Sequence, residues 1–157
     1  MENRKKETMA IELKQITKTF GTVVANNNID LSVKQGEILA LLGENGSGKT
    51  TLMNMLSGIY KPDSGSILIN GNMVTINSPE DSISLGVGMI HQHFKLVEAL
   101  SAADNIILGG RDKGIFLKKS RSEKISAISK RFGLNIDPDK KVYQMSVSEK
   151  QTVEIMK

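Results

Sequence analysis

Residues Gly43-Glu44-Asn45-Gly46-Ser47-Gly48-Lys49-Thr50 constrain this chain more than any other stretch. They match the pattern G-x-x-x-x-G-K-[ST] at every fixed position. An apolar run, Ile38-Leu39-Ala40-Leu41-Leu42, precedes them, and helix-compatible residues, Thr51-Leu52-Met53-Asn54-Met55-Leu56, follow. Strand, glycine loop and helix in that order suit the binding of a polyphosphate. The glycines keep Cβ atoms away, so backbone N–H groups can curl around the anion. The helix behind the loop points its positive end at the same place. Lys49 brings a mobile charge to the β- and γ-phosphates, and the Thr50 hydroxyl is placed to ligate Mg²⁺. The competing reading is a glycine-rich turn, which would have to match both pattern and context by accident.

The composition sets the outer limits. A chain of 157 residues, 24% charged and 39% apolar, is long enough for one domain with a real core. With no cysteine it has no disulfide or thiolate metal site, and a reducing compartment is permitted. No apolar run reaches the length of a membrane span, and Met1-Glu2-Asn3-Arg4-Lys5-Lys6-Glu7 lacks the apolar core of a signal peptide. Net charge is +4, but the basic residues are scattered, and only four Phe and two Tyr could stack on bases. A solvated basic surface is expected, not a nucleic-acid partner. Residues 1–8 read as a flexible tail.

Local patterns predict the elements. Ile11 to Lys14 and Ile29 to Val33 alternate as half-buried strands do. Ile38 to Leu42 is apolar throughout, as in a parallel strand covered on both faces. Pro62-Asp63-Ser64-Gly65 is a turn, Ser66 to Ile69 a strand, and Asn70-Gly71 a tight hairpin turn. Ser78 caps a short helix with Pro79 at its first position; Gly86 ends it, and Val87 to Ile90 reads as a further strand. Gly86 and Gly88 read as a bend. Beyond about residue 100 the pattern turns helical. Ser101 and Asp104 begin one helix, carrying Ile106, Ile107 and Leu108. A capping box from Ser120 to Glu123 begins another, with Ile125, Ile128 and Phe132 on its apolar face and Gly133 at its end. Gly109-Gly110 and Asp137-Pro138 mark loops. His91 and His93 are the only histidines, too few for a tetrahedral metal site.

The phosphate loop is followed by Gln92 within His91-Gln92-His93-Phe94, then by a helical stretch, then by Met145-Ser146-Val147-Ser148-Glu149-Lys150-Gln151. This order resembles the ATP-binding subunits of ABC transporters. Met89-Ile90-His91-Gln92-His93-Phe94 and Ser101-Ala102-Ala103-Asp104-Asn105-Ile106 look like the bacterial simple-sugar and nucleoside importer branch. The resemblance runs from about Ile11 to Lys157. It implies an α/β P-loop NTPase fold, with an antiparallel β subdomain and phosphate-loop core over residues 9–94, a helical subdomain over 95–148, and the start of the signature helix over 149–157.

It also implies roles for individual residues. Gly43 to Thr50, with Thr51, would bind the phosphates of ATP, and Lys49 and Gln92 would serve hydrolysis. Thr50 and Gln92 would reach Mg²⁺. Phe20 would stack on adenine; the alternative is a core aromatic. Ser146 and Ser148 stand in the signature segment, which in this family addresses the γ-phosphate held by a second ABC domain. Transmembrane permease subunits, and an extracytoplasmic solute-binding protein indirectly, are the implied partners. The implied location is the cytoplasmic face of the cell membrane.

The chain departs from the family pattern in three places. Ser148 stands where glycine is usual, so a Cβ is expected to strain or block the segment. Thr152 stands where arginine is usual. No four-residue apolar run followed by Asp-Glu occurs, and there is no later switch histidine. The expectation is therefore an N-terminal fragment, truncated before the Walker B strand, of an importer subunit that couples ATP binding and hydrolysis to transport. The alternative is a non-catalytic nucleotide-binding remnant or interaction fragment without turnover, and the fragment is expected to associate through unpaired strand edges.

Overall fold

In a computed structural model, the chain is described over residues 8–91, 94–108 and 118–157, the side chains of residues 118–120 excepted. It divides into two compact units, one ending at Met89 and the other beginning at Ile90.

The first unit is built on two long strands, β1 (Met9–Phe20) and β2 (Val23–Lys34). With β3 (Ser64–Ile69) and β4 (Asn72–Val74) they form an antiparallel sheet in the order β2-β1-β3-β4. Strict alternation would not bury both Leu13 and Ile16 of β1. The register shifts between them at Gln15, whose φ is 54°, and the extra residue turns Ile16 inward. Asp30 fastens this bulge by accepting from the Gln15 N–H at 2.8 Å and from Gln15 Nε2 at 2.7 Å. A second irregularity faces it on β2. There the Asn28 N–H donates to Thr17 Oγ1 at 3.0 Å, with φ of Asn28 at 48°.

Helix α1 (Lys49–Leu56) lays Leu52, Met55 and Leu56 against Leu13, Ile16, Ile67, Ile69 and Ile76 to form the core of this unit. Burying side chains of this kind contributes about 1.5–3 kcal/mol each. Asn70 and Gly71, both at positive φ, make the expected hairpin turn between β3 and β4. Ser78 caps α2 (Pro79–Ser84) by accepting from the Asp81 N–H at 3.3 Å. Buried Ser82 donates from Oγ to the Leu56 carbonyl at 2.8 Å, tying α2 to the end of α1.

Two expected strands are absent. Ile38 to Leu42 and Val87 to Ile90 run without ladder hydrogen bonds. Among the described residues no strand lies beside either one, and a strand exists only by pairing. Ile38 is 98% exposed and Leu42 88%, so the expected cover on both faces is missing as well.

The second unit packs α3 (Ala102–Leu108), α4 (Lys118–Arg131), a 3₁₀ turn at Val142–Gln144 and α5 (Val147–Met156). Ala102, Val142, Met145 and Val153 form its core, with Leu96, Ile106 and Ile136 against them. Asn105, 2% exposed, holds the preceding loop. Its Oδ1 accepts from the Val97 N–H at 2.7 Å, and its Nδ2 donates to the Val97 and Ser101 carbonyls at 3.0 Å. Ser101 accepts from the Asp104 N–H at 3.2 Å, as its position before α3 predicts, and donates to Asp104 Oδ2 at 2.7 Å. That hydroxyl is the main reason the Asp104 carboxyl lies below its ordinary range.

Helix α4 corrects two expectations. It is already helical at Lys118, so Ser120 sits inside the first turns and is not the N-cap. Lys118 and Lys119 are good helix formers, and they extend the helix backwards. Of the expected apolar face only Ile125 is buried, whereas Ile128 and Phe132 are exposed. Gly133, at φ 68°, closes the helix as expected, and the Leu134 N–H reaches back to the Ser129 carbonyl at 2.8 Å. Gly109 and Gly110 lie outside the described residues.

Candidate functional site

The loop from Gly43 to Gly48 delivers the chain into α1, with Gly48 as its N-cap at φ 85°. A Cβ on Gly48 would fall 2.2 Å from the Ala25 carbonyl oxygen, so both the conformation and the contact require glycine. No side chain caps α1. Its first N–H groups therefore keep their donor capacity for an anion.

Lys49 lies across this loop. Its Nζ donates to the Gly43 carbonyl at 2.7 Å, the Glu44 carbonyl at 2.6 Å and Ser47 Oγ at 3.1 Å. An ammonium has three donors and no acceptor, so the loop satisfies it fully. The Ser47 N–H donates to the Glu44 carbonyl at 3.2 Å and closes the turn. Thr50 is exposed in the first turn of α1, with Thr51 next to it half-buried. The structure thus gathers Gly43, Glu44, Asn45, Gly46, Ser47, Gly48, Lys49 and Thr50 into one continuous segment closed around the Lys49 ammonium. Gln92 lies outside the described residues, as does His93. Among the described residues no group of three or more His, Cys, Asp or Glu could hold a metal ion.

Phe20, at the end of β1, is 42% exposed. Tyr60 meets it edge-on, with ring centroids 5.1 Å apart, and Lys18 Nζ stands 5.5 Å from the Phe20 centroid. Phe20 is thus a propped surface aromatic and not a core residue. The prop has a base that sequence reading missed. Asp63 accepts from Lys18 Nζ, the Thr19 N–H and Thr19 Oγ1, each at 2.7 Å. Chiefly the Lys18 hydrogen bond, then those of Thr19, hold the Asp63 carboxyl down at about 2. Only its place in a Pro-Asp-Ser-Gly turn marked Asp63 in the sequence.

In the second unit Ser146 is the N-cap of α5. Its hydroxyl accepts from the Glu149 N–H at 3.3 Å, and its own N–H donates to Glu149 Oε2 at 2.7 Å. Lys140 pairs with Glu149 at 2.7 Å and is the largest reason its carboxyl lies at about 2. Ser148 is exposed within the first turn of α5, and its carbonyl accepts from Thr152 Oγ1 at 3.0 Å. The expected strain at Ser148 is absent, because a helical position accommodates a Cβ freely.

Residues 26–157 match the family described as ABC transporter. The nucleoside import ATP-binding protein NupA of Lactococcus lactis is 48% identical over 94% of this chain and 29% of its own length. The guanosine import ATP-binding protein NupO of Bacillus subtilis is 50% identical over the same shares. The chain therefore spans less than a third of the length of these relatives. Among solved structures, the dimeric ATP-binding cassette MJ0796 bound to ADP and Pi superposes with a TM-score of 0.72. It is 26% identical, over 93% of this chain and 67% of that one. No described helix is long and apolar enough to cross a membrane. Loop, sheet and helical unit agree with these matches: the chain belongs to the ABC transporter family and has the fold of its ATP-binding cassettes.

Proposed function

We propose that this chain holds the triphosphate of ATP in the ATP-binding part of an importer, with nucleosides the favoured cargo and simple sugars next. The observation that carries the reading is the loop around Lys49, whose ammonium is surrounded by oxygen acceptors that a phosphate can replace. Gly43 to Thr51 would cradle the phosphates and Phe20 would stack on the base. Exposed Thr50 fits a Mg²⁺ ligand. Gln92 is proposed as its companion from sequence alone. The ion would neutralise phosphate charge there. The cargo reading follows the nucleoside and guanosine import for which the two relatives are named.

Ser146 and Ser148, at the start of α5, are proposed to face the nucleotide of a second ABC domain. Permease subunits would receive the helical unit on the inner face of the membrane, with a solute-binding protein acting through them. For these 157 residues by themselves, nucleotide binding is the favoured reading over turnover. They hold no apolar run ending in Asp-Glu, and general-base action typically contributes about 10²–10⁴-fold. Displacement of a fluorescent ATP analogue tests the reading. Affinity is expected to fall in the order ATP, ADP, AMP, adenosine. Equal affinity for ATP and adenosine would overturn a phosphate-centred site.

A further inference from the structure

Strand β2 touches the phosphate loop through a residue that its own alternation would turn outward. Ile29 and Leu31 pack toward the core, so Asn26, an odd number of positions from both, would face away. The irregularity at Asn28 changes this. Ile16 pairs with Ile29 and Lys18 with Asn26, so β2 spends one more residue than β1 over the same span. The bulge re-aims Asn26 inward, and it is 6% exposed.

The buried amide meets the N-cap of α1. Asn26 Nδ2 donates to the Gly48 carbonyl at 3.3 Å, and the same carbonyl accepts from the Leu52 N–H at 2.9 Å. Asn26 Oδ1 has no partner among the described residues. Flipping the amide would set Oδ1 against the Gly48 carbonyl, two acceptors in contact, so the observed orientation is the favourable one. A buried acceptor left unpaired opposes folding, and an apolar side chain of this size would serve stability better. Stability therefore does not account for an amide here.

We propose that Asn26 is a positioning residue for the phosphate loop, fixing the Gly48–Lys49 peptide so that its N–H faces the bound anion. The peptide bonds of the described residues are all trans, so the carbonyl and N–H of one peptide point in opposite directions. Holding the Gly48 carbonyl toward β2 and the first turn of α1 aims the Lys49 N–H out of the helix start, into the loop. Gly48 allows the approach because it brings no Cβ against the Ala25 carbonyl. The proposal rests on the phosphate-binding reading of the loop.

The test uses inorganic tripolyphosphate as the probe on the 157-residue chain, with melting temperatures of the free protein measured alongside. Asn26→Leu is expected to melt at or above the wild-type temperature yet to bind tripolyphosphate about tenfold more weakly. Asn26→Asp presents a carboxylate to the Gly48 carbonyl at pH 8. As pH falls the buried carboxyl protonates and regains an O–H donor. Its affinity relative to wild type at the same pH is expected to recover from at least about tenfold weaker at pH 8 to within about threefold at pH 5. A Leu variant that binds like wild type overturns the proposal. So does a parallel loss of affinity and melting temperature with no recovery in the Asp variant. Wild-type protein that fails to bind tripolyphosphate overturns the phosphate reading itself, and this proposal with it.

Discussion

Lys49 Nζ donates to the Glu44 carbonyl at 2.6 Å, across the mouth of the loop that both residues belong to. The Gly43 carbonyl and Ser47 Oγ take its remaining donors, so the cation is satisfied by the loop's own oxygens. A ligand must therefore exchange these bonds for stronger, charge-assisted ones. On the proposed reading, triphosphate binding is expected to rearrange the Lys49 side chain more than the loop backbone.

Gly48→Ala tests the junction between loop and sheet. The new Cβ would meet the Ala25 carbonyl at 2.2 Å, on a backbone at φ 85°. Strain of this kind costs about 1–3 kcal/mol, and the clash adds to it. Urea denaturation is expected to show a loss of at least that size. An unchanged midpoint would mean the loop and β2 are not in contact.

Phe20→Ala tests the aromatic platform held by Tyr60 and Asp63. Stacking is worth about 0.5–1.5 kcal/mol, so ATP affinity is expected to fall roughly twofold to twelvefold. Tripolyphosphate affinity is expected to stay unchanged. Equal losses for both ligands would assign Phe20 to folding.

The helical unit depends on Asn105. Asn105→Ala leaves the Val97 N–H and carbonyl without their side-chain partner. Val97 is 49% exposed, so water can replace part of what is lost, and each bond is worth about 0.5–1.5 kcal/mol. Hydrogen exchange at Val97 is expected to accelerate strongly, with little change at Leu13 in the other unit.

Acid should weaken the start of α5. The Glu149 carboxyl lies at about 2, below its ordinary 4.5, because Lys140 and Ser146 bond the charged form. A lowered folded value stabilises above the unfolded one, and the contribution is lost as pH falls from about 4.5 toward 2. Melting temperature measured across that window is expected to fall less steeply in Glu149→Gln than in wild type. Identical slopes would show that the pair contributes nothing.

Much of this structure is legible in short-range chemistry. Asn70-Gly71, Ser78 with Pro79, Ser101 with Asp104, and Gly133 each act within a few residues, and each does what its type predicts. What escaped reading depends on distant partners. Asp63 reaches Thr19 across 44 positions. Asn26 faces inward only because a bulge changes the parity of β2. Ile38 to Leu42 has a strand's composition but no neighbour among the described residues to make it one. Ser146 was visible as part of a family segment, while its local role as half of a capping box with Glu149 was not. The phosphate loop was the most legible part of the site, because its pattern fixes residue types at every functional position.

Calorimetric titration of the wild-type chain and Lys49→Ala with Mg·ATP tests whether the Lys49 ammonium holds the nucleotide. Wild type is expected to bind saturably, one to one. In the variant, loss of a charge-assisted contact worth about 1.5–3 kcal/mol weakens binding roughly tenfold to a hundredfold or more. Equal binding by both proteins would contradict the account, because the ammonium held by Gly43, Glu44 and Ser47 would then have no part in holding the nucleotide.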